Sequence, residues 1–170
     1  MSTDLDVLAD LDRLTAVAAY DLFNPDLAAE LREICRDNAD ELDMPVSAVQ
    51  AVLDTATATL ATSGGDGDFL SDLGGAPNEL SLCPNVVIDK KPYVRDDLKA
   101  DPEHRKNPGV RAGLIRCYAG VPLVLPTGHV LGSYCVMGTE PHNFTEDEII
   151  EMTRTADRVV DTIRHFARSS

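Results

Sequence analysis

Leu5, Leu8, Leu11, Leu14 and Val17 recur every third residue between positions 4 and 18, the apolar stripe of a helix. Asn24-Pro25-Asp26 supplies a polar cap with a Pro in the first turn. It opens a second helix to about residue 42, with Leu27, Leu31, Ile34 and Cys35 inward, and Met44-Pro45 stops it. Segments 46–53 and 55–62 are rich in Val, Thr and Ala and have the length of strands. Residues 63–68 (Ser-Gly-Gly-Asp-Gly-Asp) predict a flexible loop. A short buried helix is expected over 79–87, against the weight of Pro84, and a short strand over 92–95. Asp101-Pro102-Glu103 predicts another short helix that Asn107-Pro108 ends. Two apolar strands, 114–125 and 129–137, flank Pro126-Thr127-Gly128-His129, a hairpin signal with Gly in the turn. Thr145 and Glu148 form a capping box. The final helix then runs to about 167, with Ile149, Met152, Ala156, Val159, Val160, Ile163 and Phe166 inward.

This order of elements predicts an α+β fold: an antiparallel sheet with helices gathered on one side. The terminal helices would pack together behind the sheet, and any apolar surplus on them would make a dimer seam. A length of 170 residues suits one domain, and 44% hydrophobic residues suffice for a core. The charge changes the picture of partners. Fifteen Lys and Arg against 29 Asp and Glu give a net −14, which argues against a nucleic-acid surface. Acidic amphipathic ends argue against an anionic membrane. No apolar run approaches the roughly 18 residues that span a bilayer, and the acidic N-terminus does not resemble a signal peptide. The expected location is the cytoplasm.

Candidate chemistry is sparse. The cysteines at 35, 83, 117 and 135 form no Cys-x-x-Cys pair, and histidines 104, 129, 142 and 165 share no metal-ligand spacing. No metal is expected, the thiols read as buried filler, and the histidines as solvated or capping groups. No Gly-x-Ser-x-Gly or phosphate-cradling loop is present. Arg116, amid Leu114, Ile115, Cys117 and Tyr118, must be paired if buried, with Asp96 or Asp97 as its partner, or else meet an anionic ligand.

Over residues 81–138 a set of motifs keeps its order and spacing: Ser81-x-Cys83, Asp96, Asp101-Pro102, Asn107-Pro108, Tyr118 through Leu123, and Gly128 through Cys135. This resembles the GAF family of small-ligand sensory domains, related to PAS domains. The resemblance divides the chain into a helical segment, 1–23, and a GAF-like domain, 24–168. It implies a central antiparallel or mixed sheet of about five to six strands, with terminal helices on one face. A ligand cavity is then expected on the other face, under loops and short helices. The candidate ligand-binding residues are Cys83, Arg95, Asp96, Arg116, Tyr118, Ser133 and Cys135. Arg95 and Arg116 would serve an anionic ligand or activate a thiolate. Two departures fall near the cavity: Leu82 stands where relatives carry an aromatic, and Met137-Gly138-Thr139 where they carry an acid. Pro84 after Cys83 argues against a covalent bilin, no axial ligand for haem is indicated, and Phe144…Asp147-Glu148 is half of a cyclic-nucleotide signature.

The expectation is a regulatory sensor without catalytic residues. It binds a small ligand or responds to redox state, and signals through a homodimer interface or a partner protein. The alternatives are a reductase like that for free methionine sulfoxide, using Cys83 with Cys117 or Cys135, and a dimerisation module that binds nothing.

Overall fold

The computed structural model describes residues 6–64 and 74–168. Leu5 and most of the Gly-rich loop predicted at 63–68 therefore lie outside the described residues. A 3-10 turn, Asp6–Ala9, leads to helix α1, Leu11–Ala18. The Asp10 carboxylate caps α1 by accepting the Arg13 N–H, so the predicted 4–18 helix is broken there. The break rotates Leu11 out of the expected stripe and leaves it 75% exposed. Helix α2, Pro25–Leu42, has Asn24 as its cap, and strands β1, Val46–Val52, and β2, Ala56–Thr62, follow as predicted. The segment between β2 and the final hairpin is made of short pieces: β3, Gly75–Pro77, α3, Pro84–Asp89, β4, Tyr93–Arg95, and α4, Pro108–Arg111. Strands β5, Cys117–Val124, and β6, Val130–Gly138, form the hairpin around Gly128, whose φ of 89° suits glycine. Helix α5, Glu146–Arg164, starts at the predicted capping box.

The six strands make one antiparallel sheet in the order β3-β2-β1-β6-β5-β4. Alternation along the strands gives the sheet two apolar faces. Val49, Ala51, Ala119, Val121, Leu123, Leu131 and Val136 meet Leu27, Leu31 and Ile34 of α2 and Met152, Val159 and Ile163 of α5. Ala48, Val52, Tyr118, Val130, Cys135 and Met137 face the other way, toward the short pieces. Leu8 of the 3-10 turn also packs on this second face. Buried Arg13 holds it there by donating to the Leu8 and Val130 carbonyls at 2.9 and 3.0 Å.

Two predicted elements need correction, and one strand was not foreseen. Residues 102–106 are turns, not a helix, and Asn107-Pro108 starts α4 instead of ending one. The Asn107 side chain accepts the Gly109 N–H, and Pro108 fills the first helical position, where its missing N–H costs nothing. The strand expected from 114 begins only at Cys117, because Gly113 turns the chain at φ 77°. Strand β3 was not predicted: a three-residue Gly-Ala-Pro edge has no strand signature. Pro122 is tolerated in β5 because β4 pairs only as far as Gly120, so its absent N–H has no partner to miss.

The two ends of the described chain meet. Tyr20 and Ala167 form an antiparallel bridge, with Asp21 N–H on the Phe166 carbonyl at 2.8 Å and Arg168 N–H on the Ala19 carbonyl at 2.7 Å.

Candidate functional site

Between the second sheet face and the short pieces lies a cavity of about 410 Å³. Its floor is Tyr118, Met137 and Gln50, from β5, β6 and β1. The wall comes from Leu82 and Cys83, just before α3, and from Val110 and Ile115 around α4. Leu80 and Leu114 line it as well and are 48% and 46% exposed, so they mark its mouth. The Asn107 amide donates to the Leu80 carbonyl at 2.9 Å and ties these two lining segments together. The short pieces explain the space. Helices of six and four residues present too little apolar surface to fill a sheet face.

A polar cluster sits in the floor. The Tyr118 hydroxyl donates to Cys83 Sγ at 3.2 Å, and Ser133 Oγ lies 3.2 Å from the same hydroxyl. With its proton given to the thiol, Tyr118 accepts the Ser133 proton. Gly120 makes room for this arrangement: a Cβ there would fall 2.3 Å from the Tyr118 hydroxyl and 2.7 Å from Ser133 Oγ. Cys135, two residues on from Ser133 and on the same face, lies against Cys83, with the Gln50 amide 4.0 Å from its sulfur. All four cysteines are free and buried. The Cys83 thiol is drawn below the usual thiol value by the Cys135 thiol, which outweighs burial, with help from Tyr118 and Ser133. Facing Cys83, and buried, Cys135 is held well above it. Burial pushes Cys117 up to about 11 and Cys35 to about 12.

Of the candidate residues, Cys83, Tyr118, Ser133 and Cys135 come together, and Cys83 and Tyr118 line the cavity. The other four are placed elsewhere. Arg116 forms the expected ion pair, a two-bond one to Asp97 at 2.6 and 3.2 Å, at the surface and away from the cavity. Arg95 pairs with Asp101 at 2.8 Å and covers the Tyr93 ring at 4.0 Å. Asp96 accepts the Phe144 N–H, and its carbonyl accepts that of His142, fastening the loop before α5. Cys117 is odd where Tyr118 is even, so it packs under α2 and α5, on the opposite face from Cys83. That placement removes the Cys83–Cys117 pairing. His104, expected as a solvated or capping group, is buried against the Tyr93 hydroxyl. Burial holds its pKa below the usual 6.5, partly offset by Asp101 and Glu103.

Sequence reasoning missed the apolar lining. The sequence pattern puts Leu114 and Ile115 within a strand, gives Asn107 only as a helix end and a motif residue, and does not single out Gln50. The available signal for Gln50 was a long polar side chain in a strand of Val, Ala and Ser, and for Asn107 it was Asn107-Pro108 taken as a helix start.

A GAF domain model matches residues 25–164 of the chain. The chain belongs to the GAF family. A cyclic di-GMP phosphodiesterase of Pseudomonas aeruginosa is 35% identical over 98 residues, covering 57% of this chain and 15% of that protein. The chain thus spans a small part of that relative's length. Among solved structures, the GAF domain of a phosphoenolpyruvate-protein phosphotransferase from Coxiella burnetii superposes with a TM-score of 0.67 at 19% identity, covering 95% of each chain. A type II free methionine-R-sulfoxide reductase from Thermoplasma acidophilum superposes at 0.66 with 15% identity, covering 86% of this chain and 98% of that one. At such identities the likeness is one of fold. The α+β architecture expected from the sequence, a central antiparallel sheet with helices, is the one the chain shares with the Coxiella GAF domain.

Proposed function

We propose that this GAF domain is a regulatory sensor that takes an uncharged, largely apolar small molecule into the cavity over Tyr118. The observation that carries the reading is the lining. Leu80, Leu82, Val110, Leu114, Ile115 and Met137 surround a few neutral polar groups, and no charged side chain among the described residues lines the space. Both arginines held in reserve for an anion are consumed by Asp97 and Asp101. A pocket of mostly apolar wall with a few placed polar groups is the usual form of a small-molecule site. The same lining disfavours a free amino-acid sulfoxide, whose ammonium and carboxylate would enter without counter-charges.

The ligand would order the short pieces between 74 and 113 and shift the population of packings of α2 and α5. Those helices would pass the signal to a second copy of the chain or to a signalling protein.

A thermal-shift panel tests the binding step. Uncharged apolar compounds are expected to raise the melting temperature, and N-phenyl-1-naphthylamine to gain fluorescence that Ile115→Asp abolishes. Stabilisation by nucleotides, oxyanions or amino acids, with no response to the apolar set, would overturn the reading.

A further inference from the structure

We propose that Cys83 and Cys135 form a peroxide-reactive pair, in which Cys83 meets an oxidant arriving through the cavity and Cys135 closes a disulfide with it. The two sulfurs have unequal access. Cys83 lines the cavity, whereas Cys135 is fully buried behind it on β6 and does not. They share one polar cluster: the Tyr118 hydroxyl bonds Cys83 and Ser133, and Ser133 stands two residues from Cys135 on the same sheet face. The remaining thiols lie outside this cluster. Cys35 and Cys117 belong to the core under α2 and α5 and do not line this cavity.

The surroundings suit an attacking thiolate at Cys83. The Tyr118 O–H donates to its sulfur, and the facing Cys135 thiol favours its ionisation. Cys83 sulfur attacks one peroxide oxygen; the O–O bond breaks, Cys83 becomes a sulfenic acid, and the second oxygen leaves as water with the thiol proton. Cys135 sulfur then attacks the sulfenic sulfur. The S–O bond breaks, its oxygen leaves as water with the Cys135 proton, and an S–S bond remains. Two thiols are oxidised and one hydrogen peroxide is reduced to two waters, so the step needs no other reactant.

The chemistry uses the same cavity as the proposed ligand but does not need the ligand, so the two readings fail separately. The experiment treats the whole reduced chain with hydrogen peroxide and follows intact mass, thiol alkylation and peptide mapping. The expected result is loss of two hydrogens, two of four thiols blocked, and a Cys83–Cys135 cross-linked peptide that dithiothreitol reverses. Cys135→Ser should instead leave a sulfenic acid on Cys83 that dimedone traps. In Cys83→Ser all three remaining thiols should stay free. Four alkylatable thiols after peroxide, a cross-link through Cys35 or Cys117, or sulfinic acid on Cys83 in the unaltered chain would each overturn the proposal. The wild-type measurement stands even where a variant fails to fold. Binding of N-phenyl-1-naphthylamine to the reduced protein reports on the ligand reading alone.

Discussion

The two faces of one sheet are built from alternate residues of the same strands, yet they differ in what covers them. One face lies under α2 and α5, helices of 18 and 19 residues that each present a continuous apolar stripe. The other lies under a 3-10 turn, a six-residue helix, a four-residue helix and the turns between them. The long helices bury Leu27, Leu31, Met152, Val159 and Ile163 against their face, whereas the short pieces leave about 410 Å³ over theirs. Covering length decides where a protein keeps space. A helix can bury a stripe only in proportion to its turns, and the Pro and Gly that fragment the second cover also limit what it buries.

The contrast can be broken, and the largest effect is expected on the helix side. Leu31→Ala, on the buried face of α2, should cost roughly 2–5 kcal/mol in urea unfolding. Leu114→Ala at the half-exposed cavity mouth should cost about 1 kcal/mol or less. Equal losses would mean that the two faces are packed alike. Next comes the cavity floor. Gly120→Ala puts a methyl where the Tyr118 hydroxyl lies and should destabilise by roughly 1–3 kcal/mol. It should also change the alkylation rate of Cys83, since that hydroxyl is the thiol's donor.

A pH effect follows from His104, which lies beside Tyr93 on the cavity face. Its folded pKa is depressed below 6.5, chiefly by burial, so the unfolded chain binds its proton first as pH falls. Its contribution to stability is complete above about 6.5 and is lost below that, as pH falls through the folded value. Urea midpoints should drop between pH 7 and 5, and His104→Gln should flatten that part of the profile. An unchanged slope would assign the loss to other groups. The smallest effect is expected from Arg116→Ala. It breaks a half-buried ion pair with Asp97 and should leave binding of N-phenyl-1-naphthylamine unchanged. A weakened probe would put Arg116 back in the site.

The two faces also differed in how far they could be read in advance. The helix side was legible because apolar periodicity is a local signal. Leu27, Leu31, Met152, Val159 and Ile163 were placed correctly from spacing alone. On the cavity side the motif residues Cys83, Tyr118, Ser133 and Cys135 were found, since alternation along β5 and β6 puts Tyr118, Ser133 and Cys135 on one face. The Arg116–Asp97 pair is one of the two expected from the sequence, whereas the pairing of Arg95 with Asp101 was not legible, because it depends on a turn whose path sets the carboxylate's position. Asn107-Pro108 shows the limit most directly. One dipeptide fits the end of a helix or the start of another, and the Asn107 side chain, bonded to the Gly109 N–H, chooses the second.

The bridge between Tyr20 and Ala167 gives the domain a mechanical property. In an antiparallel pair, chain entering through Ala19 and chain leaving past Arg168 depart from the same end. Tension applied across the two therefore peels their hydrogen bonds one at a time instead of loading them in parallel. Such a clasp yields at low force, while the Arg13 bond to the Val130 carbonyl separately ties the preceding segment to β6.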